Sequence, residues 1–247
     1  MTNTTERDSG AAPSSRPWTA WRPGSSSLRG WHWQRLVTAL VALVAAAVLG
    51  LVIGALVGGE FGWSLASAAV TAVVGLVAVV LLRRSAPRGV LAVTGRDICW
   101  GLLLGVALPF VGGALVVAAG QADPWPAYDA LSPRWLIVGI ALPIGVALLQ
   151  QVFLDGALLV AVFAVVRRWG AWAWLAKTAA VLLSTAASVG LALFASAGVL
   201  RMPVLLVVVL GLGSAALVVV TSRLWGAVVL GVVFTGVWVL LSVAGAL

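Results

Sequence analysis

Seven runs of predominantly apolar residues divide the chain, separated by short stretches that carry its Arg, Asp and Pro residues. They cover roughly Leu36–Val57, Gly62–Leu82, Ile98–Ala119, Trp135–Val166, Ala171–Ala195, Pro203–Thr221 and Leu224–Leu247. A membrane-spanning helix needs about 20 mostly apolar residues, and each run meets that length. In lipid no water is available to backbone N–H and C=O groups, so each run must satisfy them internally, as a helix. The pattern predicts an all-α, polytopic transmembrane bundle at 35–247, preceded by a disordered cytoplasmic arm at 1–34. That arm is rich in Ser, Thr, Pro, Gly and Arg and has little to bury. No apolar core segment follows the first few residues, which argues against a cleaved signal peptide.

The fourth run breaks the regularity. It holds 32 residues, or about 48 Å of helix, against a hydrocarbon core of about 30 Å. It also carries Pro143, Gln150, Gln151 and Asp155. One long tilted helix and two helices broken near Pro143 both fit, giving seven or eight spans.

Composition agrees with the pattern: 62% of residues are hydrophobic and 9% are charged, too few charges to cover a water-facing surface. The net charge of +8 does not imply nucleic-acid binding, because the basic residues lie in the gaps between apolar runs. With the N-terminus inside, Arg7, Arg16, Arg22, Arg29, Arg35, Arg83, Arg84, Arg88, Arg96, Arg167, Arg168 and Arg223 are cytoplasmic, and only Arg134 and Arg201 are outside. Twelve against two is the bias that sets topology. It favours seven spans, with Glu60, Asp123 and Asp129 outside. A multi-pass protein of the plasma membrane is expected. Trp31, Trp33, Trp63, Trp100, Trp135, Trp169, Trp172 and Trp225 fall near predicted helix ends, where indole rings favour the headgroup zone. Gly50, Gly54 and Gly58 form a small-residue ridge on the first helix. It suits close packing within the bundle or between two copies, and the oligomeric state is left open.

Candidate chemistry is sparse. Cys99 is the only cysteine, so no internal disulfide forms, and it reads as a small buried hydrophobe. His32 is the only histidine and precedes the first helix between two tryptophans. One imidazole is short of a metal set, which takes three or four protein ligands, so no metal and no cofactor are expected. Two ionisable residues lie deep in predicted helices, Asp155 and Lys177. Such residues are costly in a bilayer and are functional suspects by default. Asp155 lies 12 residues before Arg167, about 18 Å along a helix, which puts it near the midplane. Gln151, at i−4, shares its face, and Gln150 is adjacent to it. The three read either as a polar site facing the bundle interior or as a hydrogen-bonded staple between helices. Lys177 is six residues into its helix and can extend to the headgroups or reach Asp155.

From Arg83 onward the layout resembles the CPBP family of intramembrane proteases, the CAAX-protease and bacteriocin-processing group. The resemblance rests on the Arg-rich stretch Arg83–Asp97 before Ile98-Cys99-Trp100-Gly101-Leu102. It continues with Leu149-Gln150-Gln151-Val152-Phe153-Leu154-Asp155-Gly156 and then Arg167-Arg168-Trp169-Gly170, and with Ser222-Arg223-Leu224-Trp225-Gly226-Ala227 opening the last helix. The family carries Glu-Glu-x-x-x-Arg-Gly, then Phe-x-x-x-His, then His-x-x-x-Asn or Asp. The resemblance puts Gln150 and Gln151 at the glutamates, Asp155 at the arginine, and Gly156 at the glycine. Ser188 and Ala192 fall at the second motif, Gly231 and Thr235 at the third. Every expected acid, base and ligand is missing. Gln cannot take a proton at working pH and so cannot act as a general base. The two glutamates of the chain, Glu6 and Glu60, lie outside the predicted helices, and Asp155 is the only Asp within one.

The expectation is therefore a degenerate, non-catalytic CPBP-like membrane protein at 83–247 whose role is binding, as a scaffold or regulator. Its partners would be the bilayer and other membrane proteins. Two alternatives stay open: a divergent CAAX-type endopeptidase, and a small transporter or channel component with Asp155 in its pathway.

Overall fold

The computed structural model describes residues 33–85, 90–120, 142–196 and 202–244. Helix α1 is Trp33–Val57, α2 Gly59–Ser85 and α3 Gly95–Ala118. Helix α4 runs as Leu142–Gln151, turns π-helical over Val152–Leu158, and is α-helical again over Leu159–Arg168. Helices α5, α6 and α7 are Ala173–Ser196, Val204–Thr221 and Leu224–Ala244. All seven are long and apolar enough to cross a membrane. The apolar runs located them to within a few residues. Of the arm expected at 1–34, Trp33 and Gln34 belong to α1; the rest, including His32, lies outside the described residues.

The helix starts correct two expectations. α2 begins at Gly59, so Glu60 is in its first turn instead of outside it. α3 begins at Gly95, so Asp97 joins Asp155 as a helical aspartate. Both shifts have one cause: a cut-off at the first apolar residue leaves out the first turn, and each helix begins three residues before the start read from the apolar run. Of the two readings of the fourth run, one long helix or two helices broken near Pro143, the part before Leu142 lies outside the described residues. Pro143 stands in the first turn of the described helix, whose irregularity is the π segment that begins nine residues beyond it.

α4 is the axis of the bundle. In its core window 78% of residues are buried, against 22–50% in the other six spans. From Phe153 to Val165 every residue is buried. α1, α2, α5, α6 and α7 supply the layer around it, with Val74, Leu82, Ala180, Ala215 and Ala227 in the shared core. α3 sits outside that layer, against α6 and α7. There a second core forms from Val116, Leu206, Leu217, Leu230, Phe234 and Trp238. The outer faces are apolar as well: Val41, Val44, Leu56, Leu76, Leu103 and Leu240 are exposed, as lipid-facing positions should be. Cys99 is among the exposed residues. It faces outward from α3 and is not the buried hydrophobe expected, because lipid solvates a thiol side chain about as well as a core does.

Small residues set the helix spacings. On α1, Ala39, Ala42, Ala46, Gly50 and Gly54 are buried, and a Cβ on Gly54 would fall 2.8 Å from the Trp63 ring of α2. The ridge read from Gly50 and Gly54 therefore packs within the bundle. Gly58 does not extend it, because it lies past the helix end at φ +68°, where together with Gly59 at φ +63° it turns the chain into α2. α3 comes backbone-close to α7: a Cβ on Gly101 would meet the Gly226 carbonyl oxygen at 2.5 Å. The α2–α3 connection and the α6–α7 turn lie at one end of the bundle. The Leu224 amide donates to the Val90 carbonyl at 2.9 Å, and the Trp225 indole N–H donates to the Leu91 carbonyl at 3.0 Å.

Gly101→Ala is expected to destabilise the bundle by about 1–3 kcal/mol, because its methyl group meets backbone that cannot swing aside. Gly145→Ala, with open space around it, is the control and should unfold at or slightly above the wild-type temperature. Thermal unfolding in detergent reads both.

Candidate functional site

The polar groups singled out on α4 come together with hydroxyls from α2, α5 and α6. The Gln151 side-chain amide donates to Asp155 Oδ2 at 2.8 Å. The single O–H of Ser184 on α5 can donate to Asp155 Oδ1, at 3.3 Å, or to the Leu154 carbonyl, at 3.2 Å. Ser214 of α6 lies beside the same carboxyl and donates to the Gly211 carbonyl at 3.2 Å. The Gln150 amide donates to Thr71 Oγ1 of α2 at 3.4 Å. Gln151, Asp155, Ser184, Ser214 and Thr71 are all buried. Away from water, each unmet polar group costs free energy, and this network meets the needs of the carboxyl from three helices.

Local geometry explains the placement. Asp155 sits inside the π segment, whose wider turns shift the side chains that follow relative to those before, and such segments gather at functional sites. Gly156 lets that widened turn lie between two neighbours, since a Cβ there would be 3.0 Å from Leu224 Cδ2 and 3.1 Å from Leu82 Cδ1.

Beside the network lies a cavity of about 60 Å³ lined by Gln150, Gln151, Ser188, Ala192 and Thr235 among others. A water needs some 10–15 Å³ measured this way, so there is room for a few waters. Gly231 forms its neighbouring wall, where a Cβ would come within 3.2 Å of Gln151 Cγ and Cδ. Residues placed at three separate motif positions by the family resemblance thus surround one space. Asp155 does not line it: at 1% exposure it is sealed behind Gln151. From Ala157 to Val165, α4 is apolar and buried, so no polar lining continues along it toward Arg168.

Hydrogen bonding is what this centre offers. Two amides and several hydroxyls line or border the cavity, and its one carboxyl is enclosed. Among the described residues no group of three or more His, Cys, Asp or Glu side chains could hold a metal. Gln150, Gln151 and Asp155 stand out in the sequence; Ser184, Ser214 and Thr71 do not. The signal for Ser184 was its four-residue spacing from Ser188, which puts both on one face of α5. Lone Ser and Thr residues in apolar helices give no such cue.

The fold and its enclosed polar centre define a multi-pass α-helical integral membrane protein. No protein-family model, curated protein or solved structure matches the chain.

Replacing Gln151 by Leu removes a donor from a buried carboxyl and is expected to cost about 1–3 kcal/mol. Asp155→Asn keeps an oxygen acceptor and the side-chain volume, and should cost less. Chemical or thermal unfolding of the two variants in detergent ranks them.

Proposed function

We propose that the chain is a non-catalytic membrane protein of CPBP-like layout that binds other membrane proteins, as a scaffold or regulator. It lies in the plasma membrane with its N-terminus in the cytoplasm. The observation that carries this reading is the neutral cavity. Gln150 and Gln151 stand where the family has its glutamates, and Ser188, Ala192 and Thr235, from the other two motif positions, border the same space. An amide at such a site recognises polar groups but cannot draw a proton from water at working pH. The enclosure of Asp155 favours binding over conduction, because a pathway through the carboxyl needs polar lining on both sides of it.

The purified chain is expected to leave prenylated and membrane-embedded peptides uncut. Cleavage that disappears in Gln151→Ala would overturn the proposal in favour of a divergent endopeptidase. Proteins co-purifying with the wild type, identified by mass spectrometry, should be lost from Ala192→Trp, which fills the cavity, and kept by Leu240→Ala on the outer face. For orientation, alkaline phosphatase fused after Leu247 should be active and a fluorescent protein fused there dark. The reverse result would place the N-terminus outside.

A further inference from the structure

A second, larger cavity lies on the other side of the bundle, away from the polar centre. It is a groove of about 650 Å³ between α3 and α6, within the range of small-molecule sites. One wall is the α3 stripe Asp97, Trp100, Leu104 and Leu108, spaced by three and four residues so that all four share a face. The other wall is α6, where the exposed Ala216 leaves the space open. The floor is closed where α3 and α6 touch: a Cβ on Gly213 would fall 2.5 Å from Leu108 Cδ1. From Asp97 to Leu108 the groove is about 16 Å deep along the helix. That is close to half of a ~30 Å hydrocarbon core, the depth of one leaflet.

The mouth is polar and carries net positive charge. Arg223 Nη1 donates to Asp97 Oδ2 at 2.9 Å and to Thr94 Oγ1 at 2.6 Å, and Thr94 Oγ1 also donates to Asp97 Oδ2. This fixes the guanidinium at the rim with its side chain still 31% exposed. Arg96, also exposed, lines the mouth too, so two guanidiniums face one carboxylate. Trp100 and Trp225 stand exposed at this end, at the level where indole rings mark the headgroup zone.

The geometry points to a binding site for an anionic phospholipid of the surrounding leaflet, with one acyl chain in the α3–α6 groove and its phosphate at Arg96 and Arg223. Depth selects the chain: the groove ends where a leaflet ends. Charge selects the headgroup: the rim exceeds neutrality by one cation, and a net-neutral zwitterionic lipid gains less there than an anionic one. The site shares no residue with the Gln150–Gln151 cavity and does not depend on the function proposed for it.

Native mass spectrometry of the full chain, titrated in detergent with phosphatidylglycerol or phosphatidylcholine of matched chains, tests the site. Phosphatidylglycerol should bind about fivefold or more tighter, the worth of one cation at a membrane surface. Arg96→Gln should remove most of that preference and Arg96→Lys should keep it. Ala216→Phe, which fills the groove from an exposed position, should lower retention of both lipids with the unfolding temperature unchanged. Glycerol phosphate, which has the head without the chains, should not compete. Equal retention of the two lipids, full retention by Ala216→Phe, or competition by glycerol phosphate would each overturn the assignment.

Discussion

The buried polar face of α4 is the constraint around which the rest of the bundle is arranged. A carboxyl and two amides on one helix cannot face hydrocarbon without large cost, so α4 has to be enclosed on all sides. The other helices meet that demand in a graded way. α1 and α2 present mainly small and aliphatic residues to it, whereas α5 and α6 bring the hydroxyls of Ser184 and Ser214 to the Asp155 carboxyl. Removing α4 from lipid also frees the outer helices to be apolar on both faces, which is why they carry so little amphipathic signal. Their hydrophobicity says that they span the membrane, and their small residues say where they touch.

The π segment and Gly156 follow from the same demand. A central helix must approach neighbours on every side, and a widened turn takes up more room unless its wall is thin. Gly156 supplies that thinness against Leu82 and Leu224. The polar centre is thus held by packing on one side and hydrogen bonds on the other. The small cavity is what remains where α4, α5, α6 and α7 do not quite meet. Its lining of amides and hydroxyls gives it the means to recognise a polar group, in a setting where direct hydrogen bonds compete with few waters.

α3 stands apart from this arrangement, and its position gives the molecule a second character. It packs mainly on α6 and α7, tied by the Thr94–Asp97–Arg223 cluster at one end and by the glycine contacts with α7 along its length. Where its face parts from α6, the groove opens. An ion pair at a membrane boundary and a leaflet-deep apolar slot lie directly below one another there, an arrangement that neither α3 nor α6 carries alone.

The sequence by itself located the spans, because each needs a continuous apolar run, and left open only whether the long fourth run made one helix or two. It also marked α4 as exceptional, since Gln150, Gln151 and Asp155 are conspicuous against aliphatic neighbours. It missed Asp97 and Glu60 as helical residues because first-turn carboxylates look like loop charges. It could not foresee which side chains would meet Asp155, since Ser184 and Ser214 lie about 30 and 60 residues away along the chain; the spacing of Ser184 and Ser188 marks a polar face on α5 but not the helix it meets. It also expected Cys99 to be buried. Only the tertiary structure decided the central place of α4, the sealing of Asp155 away from the cavity, and the groove under Arg96 and Arg223. The reason is that in lipid both faces of a spanning helix are apolar, so hydrophobicity fixes how many helices cross but not which face meets which neighbour. Close contacts between small residues and a handful of hydrogen bonds make that choice, and they exist only once the helices have come together.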